Sequence, residues 1–298
     1  MYLHEGGIDM IVQSTKEFDA FGPWVYEIGE EHDLPPLFMK YRNLQDSALM
    51  MFKIPKQIER RSANPHMHLY DAVVGIFETY VLMLYRFGDS VKEQKINIKD
   101  IQAIEVTQAL LSGKLKLYTD TRIFTISYNT VSQKVINKAI SIIRALQNYP
   151  EYNTKLKPMS YSTDTVEHLY VNLLNRLRKA EPDAELIAYQ PNIKLSNRKG
   201  LSRVFQKKPD IRCTAFVSNK REIIIISRTS AFKKINEVQY SYTYTYLPIS
   251  KLRSVKRSAY DKDADISMLT MKTDKHSFNI LFDRTERNVK ALYEELRK

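Results

Sequence analysis

Residues 98–104 read IKDIQAI and residues 249–255 read ISKLRSV. Each places an apolar side chain at its first, fourth and seventh position: Ile98, Ile101 and Ile104 in one, Ile249, Leu252 and Val255 in the other. A spacing that returns together with its flanking elements marks an internal repeat, and the flanks decide whether this one does.

They return in order. Upstream, ALMMFKI (48–54) parallels ELIAYQP (185–191), and YVLMLYRF (80–87) parallels EIIIISRT (222–229) with Arg86 and Arg228 in the same place. Downstream, GKLKLYT (113–119) parallels SMLTMKT (267–273), and Phe124, Ile126 and Tyr128 alternate as Phe278, Ile280 and Phe282 do. With 70–77, 94–106 and 122–128, these short runs are rich in β-branched and aromatic residues. Turn-prone breaks such as Gly88-Asp89-Ser90, Ser112-Gly113 and Thr119-Asp120-Thr121 separate them, the pattern of an antiparallel meander. After each meander the period changes. Val131, Val135, Ala139, Ile142, Ile143 and Leu146 predict a helix over 130–147, and Val289, Leu292, Tyr293 and Leu296 predict one over 284–297. Asp283 with Glu286, and Thr130 with Gln133, have the spacing of helix caps.

The remaining segments join these two series. Tyr149 to Ser162, with Pro150 and Pro158, reads as a linker, and 163–180 as a helix striped by Val166, Leu169, Leu173, Leu174 and Leu177, with Asp164 and Glu167 at its cap. Residues 1–43 hold the only Trp, Trp24, and the pair Pro35-Pro36, and are expected to form an irregular strap on the first domain. The expected division is therefore 1–43, a domain at 44–148, a linker and helix at 149–182, and a second domain at 183–298.

A strand meander with the I-x-x-[IL]-x-x-[IV] step and a closing helix, present twice, resembles a tandem of bacterial pleckstrin-homology-like (PH-like) domains. The resemblance implies a mainly β (α+β) fold of two PH-like antiparallel β-barrels, each closed by a C-terminal α-helix and joined by a linker helix. It also implies a non-enzymatic scaffold, since the family binds phosphoinositide head groups, peptides or proteins. In eukaryotic relatives the phosphates lie against basic residues of the first two strands and their loop. The corresponding stretch here carries Lys194, Arg198, Lys199, Arg203, Lys207, Lys208 and Arg212, with Asp210 the single acid. The first copy's loop, Pro55 to Leu69, mixes Lys56, Arg60 and Arg61 with Glu59, so the resemblance points to the second copy as the anion-binding one.

Composition agrees with that asymmetry. The chain of 298 residues carries 46 Lys and Arg against 34 Asp and Glu, a net charge of +12. Residues 1–150 hold 17 of each sign, leaving 29 basic and 17 acidic residues in 151–298, so the whole excess lies in the second half. A basic surface at an anionic bilayer gains about 1 kcal/mol per Lys or Arg; the same charge on a solvated loop serves solubility. One Cys, Cys213, permits no internal disulfide, no apolar run approaches the ~20 residues of a membrane span, and the start has no signal-peptide pattern. The cytoplasm, with peripheral association at the inner membrane face, is the expected location. Expected partners are a protein or peptide, or an anionic lipid surface. Single-stranded nucleic acid is the alternative, through Tyr240, Tyr242, Tyr244 and Tyr246 on one face of a strand beside Lys233, Lys234, Lys251, Arg253, Lys256 and Arg257. Packing within the fold accounts for the same tyrosines.

No phosphate-cradling, zincin, C-x-x-C or G-x-S-x-G motif occurs, so neither an enzyme nor a cofactor is expected. Asp261, Asp263 and Asp265 imitate a calcium loop, but Ile266 stands at the glycine position and Lys272 at the glutamate position, so a hairpin turn is expected. His66, His68 and Asp71 form a weak metal-ligand spacing read as a turn, and Cys213 reads as a core residue.

Overall fold

The computed structural model of the chain describes residues 24–58, 62, 67–152, 156–192, 211–228, 241–261 and 266–297. After β1 (Tyr26–Glu27) and a 3-10 segment at Pro36–Ser47 come four strands, β2 (Met50–Pro55), β3 (Tyr70–Ile76), β4 (Tyr80–Phe87) and β5 (Ser90–Asn97). A single 3-10 turn, Ile98–Asp100, leads to three more, β6 (Ile101–Ala109), β7 (Ser112–Thr119) and β8 (Ile123–Asn129), and then to helix α1 (Gln133–Gln147). Helix α2 (His168–Ala180) precedes a second series: β9 (Glu185–Gln190), β10 (Thr214–Ser218), β11 (Glu222–Ser227), β12 (Tyr242–Pro248), the 3-10 turn Ile249–Lys251, β13 (Ser254–Asp261), β14 (Ile266–Lys272), β15 (Ser277–Asp283) and α3 (Arg287–Leu296). The corner turns match in detail: the Ile98 amide donates to the carbonyl of Thr79, just before β4, and the Ile249 amide to that of Arg221, just before β11.

The chain divides into two compact units. The first comprises Met1–Asp100, Leu111–Gly113 and Ile126–Asn148. Its sheet has the order β1-β2-β3-β4-β5, all antiparallel. The 3-10 segment lays Phe38 and Tyr41, with Leu34 before it, on Met51, Val73, Leu82 and Leu84. Helix α1 buries Ile136, Ala139, Ile140 and Ile143. Gly113 carries no side chain because the Tyr128 ring occupies the position its Cβ would take.

The second unit comprises Ile101–Leu110, Lys114–Thr125 and Tyr149–Lys298. Its main sheet has the order β8-β7-β6-β12-β11-β10-β9, with the end of β8 and the start of β7 assigned to the first unit. A further sheet has the order β13-β14-β15. β11 shows why an unbroken apolar run forms here. Ile223 and Ile225 face a core shared with Val255, Leu269, Met271, Phe282, Val289 and Leu292, while Ile224 and Ile226 face α2 through Tyr170, Leu173, Leu174 and Leu177. Both faces are covered, so alternation of apolar and polar residues disappears.

The expected pair of closed barrels is not formed. The fold is mainly β, but the described residues form three antiparallel sheets, none closed into a barrel. Closure would require hydrogen bonds between the last strand of each four and the first of the following three, β5 with β6 and β12 with β13. Instead β6 pairs antiparallel with β12, in the register Thr243↔Thr107, Tyr244↔Val106, Thr245↔Glu105. Side-chain complementarity supports that choice: the Thr107 and Thr243 hydroxyls are 3.0 Å apart, and the Tyr242 hydroxyl donates to Gln108 Oε1 at 2.6 Å.

Three local expectations also shift. The run 94–106 is broken by the turn at 98–100, and its strand begins at Ser90. Helix α2 begins at His168 and not at 163, and Glu167 makes no side-chain cap because its carboxylate is engaged elsewhere. At the start of α1 the cap position is held by Ser132, Asn129 Oδ1 accepts from the Val131 amide, and Gln133 Oε1 accepts from the Tyr128 hydroxyl. At α3, Glu286 accepts from the Asn288 amide and Asp283 from that of Thr285.

Candidate functional site

An antiparallel strand alternates its backbone donors and acceptors between its two neighbours, so an end strand offers one row to whatever lies beside it. β13 is such a strand. Among the described residues it pairs with β14 alone, and Lys256, Ser258, Ala259 and Tyr260 are exposed along it. Val255 anchors it in the core, and Arg257 is already positioned, its guanidinium over the Phe282 ring and Nη2 donating to the Arg284 carbonyl at 3.2 Å. β5 is the end strand of the first unit's sheet. Among the described residues it pairs with β4 alone and exposes Lys92, Glu93 and Lys95, while Glu93 Oε1 accepts from the Tyr41 hydroxyl at 2.7 Å. These edges present backbone hydrogen-bonding groups between charged side chains, a chemistry suited to strand addition.

Two polar nodes support the second unit. At the first, Glu167 Oε1 accepts from Arg228 Nη2 at 2.8 Å, and Oε2 from the Cys213 thiol at 2.7 Å and Asn192 Nδ2 at 3.4 Å. Asn192 Oδ1 accepts from the Cys213 amide, and the Tyr170 hydroxyl donates to the Cys213 carbonyl at 2.6 Å. Burial, and then the bond to Glu167, push the Cys213 thiol up to about 12, so it is held as a proton donor and not as a nucleophile. At the second node, buried Gln102 donates through Nε2 to Asp120 and, at 3.5 Å, to Asp274. Arg253 bonds Asp274 twice, at 2.6 and 3.1 Å, and this holds the Asp274 carboxyl below its usual range. Gln102 and Arg253 stand at matching positions after Ile98 and Ile249, and the hairpin turns they hold, Thr119–Arg122 and Thr273–His276, repeat the same threonine-to-backbone bonds.

Of the predicted anion-binding residues, Lys194, Arg198, Lys199, Arg203, Lys207 and Lys208 lie outside the described residues, and Arg212 is half-buried beside Ile211 and Cys213. Tyr240 also lies outside them. Tyr242, Tyr244 and Tyr246 are half-buried and pack against the α2-covered core instead of forming an open stacking row. His66, Asp263 and Asp265 lie outside the described residues, and Asp261 pairs with Ile266 between β13 and β14. Among the described residues no group of three His, Cys, Asp or Glu is arranged to hold a metal ion, and no helix is long and apolar enough to cross a membrane. A cleft of about 330 Å³ lined by Glu151, Asp183, Glu185 and Lys220 is mainly acidic, opposite in sign to the net charge.

Sequence reasoning missed the Glu167 node, because nothing in the spacing of residues 167, 213 and 228 brings them together; the matching Arg86 and Arg228 was the only hint. No protein-family model matches the chain, and a search of curated proteins finds none similar to it.

Proposed function

We propose that the protein is a non-enzymatic docking scaffold that takes up a strand of a protein partner on the exposed edge of β13. The observation that carries this reading is the unequal use of two strands of like position. β6, first of its three, is flanked by β7 and β12, whereas β13, first of its three, has β14 alone among the described strands. A partner strand would gain main-chain hydrogen bonds along this edge and draw specificity from the side chains at alternate positions. The recurrence of four strands, a 3-10 corner, three strands and a helix supports an internal duplication. The second half then keeps for a partner the edge that the first half uses within the chain.

A photo-crosslinking residue at position 258 on β13, with position 279 on β15 as control, tests this in an extract of the source cells. The expected result is a discrete protein adduct at 258 that is absent at 279. Equal labelling at both positions overturns the reading. So does capture of only anionic vesicles or single-stranded DNA, the two competing partners of the basic second half.

A further inference from the structure

We infer that the strand received by β13 is β5 of a second copy of this chain, an inference that rests on the docking role of β13. β12 and β5 each end the four-strand run of their half, just before Ile249 and Ile98; β6 and β13 each open the three-strand run that follows. Within the chain β12 takes β6. The two strands this leaves over, β5 and β13, are end strands of separate sheets among the described residues, and each exposes Lys and polar side chains between its buried anchors Ile96 and Val255.

Counting from Ile98 and Ile249 carries the β12·β6 register over to them. Thr243 corresponds to Lys92 and Thr107 to Ser258, Tyr244 to Glu93 and Val106 to Arg257, Thr245 to Gln94 and Glu105 to Lys256. The contact between copies therefore sets Lys92 opposite Ser258, Glu93 opposite Arg257 and Gln94 opposite Lys256. No like charges stand opposite one another, and one pair is of opposite sign, which favours the ladder. Lysines on edge strands discourage indiscriminate pairing, and the Glu93–Arg257 match selects among partners. The contact joins different strands, so association closes as a dimer where each copy's β5 meets the other's β13, and otherwise proceeds to a larger ring or a filament.

The Thr107 and Thr243 side chains meet at 3.0 Å, so the side chains at the corresponding positions 92 and 258 face each other when the copies pair. A Lys92→Cys chain mixed with a Ser258→Cys chain and oxidised mildly should give a disulfide-linked dimer of the two. A Lys92→Cys chain mixed with an Asn279→Cys chain should not; Cys213 is buried and stays out of the reaction. In sedimentation, Glu93→Lys or Arg257→Glu alone should weaken self-association about tenfold, and the double reversal should restore it. Thermal melts establish that each variant is folded. Absence of the mixed disulfide, or a chain that stays monomeric throughout a concentration series, overturns the inference. If the crosslinker at 258 then still captures a different protein, the docking edge stands and only its partner is reassigned; if it captures nothing, both fall.

Discussion

The hydroxyls of Thr107 and Thr243 meet 3.0 Å apart across the β6·β12 ladder, although 136 residues separate them in sequence. This contact marks the point at which the fold departs from two closed halves: the first strand of one three-strand run is taken by the last strand of the other half's four.

A Thr107→Cys/Thr243→Cys chain tests that pairing. Directly opposite residues bring their Cβ atoms to roughly 4.5–5.5 Å, close to disulfide range. The bond should form on oxidation and raise the unfolding free energy by about 2–4 kcal/mol. Mass spectrometry and thermal melts with and without reductant check it.

Gly113→Ala should destabilise the first unit by about 1–3 kcal/mol, the cost of overpacking, because the new methyl falls within the Tyr128 ring. Gly29→Ala, where nothing lies within 4 Å, is the matched control and should leave the melting temperature nearly unchanged.

Glu167→Ala removes the acceptor of three donors, from Arg228, Cys213 and Asn192. A loss of about 2 kcal/mol is expected in denaturant melts, reduced from the fully buried case because Glu167 is partly exposed. Glu167→Gln, which keeps one carbonyl acceptor, should recover part of it.

The pH dependence is alkaline. The Cys213 thiol has an ordinary value of 9.0 and is pushed up to about 12 in the fold. Its contribution is fully present below pH 9 and is lost as the pH rises from 9 towards 12, at up to about 1.4 kcal/mol per unit. Tyr170, Tyr189 and Tyr244 are raised above their ordinary value by burial and add to the same trend. Cys213 is buried and its thiol donates to Glu167, so a thiol reagent should label it rapidly only after unfolding. Stoichiometric labelling of the native chain would contradict its placement.

Most strands and the helices of both halves were legible because local pattern encodes them. EIIIIS read as a strand since two covered faces leave only an apolar run, and Ile98-x-x-Ile101 and Ile249-x-x-Leu252 marked matching positions of the repeat, though not the 3-10 corners that stand there. The start of β5 was not legible, because SVKEQKIN lies on an open edge and carries no burial period. The pairing of β6 with β12 was also hidden, since it depends on which of two edges meets Thr107 and not on the composition of either strand. Of the seven cations expected to bind an anion, Arg212 alone falls among the described residues, and the edges proposed in their place are defined by what sits beside a strand.

Amide hydrogen exchange at low and high protein concentration reads both kinds of edge in one experiment. β6 and β12 should be protected at both concentrations, while β5 and β13 should exchange fast in dilute protein and become protected together as the concentration rises. Fast exchange of β13 at every concentration, in a sample that associates by another surface, would contradict the pairing of β13 with β5.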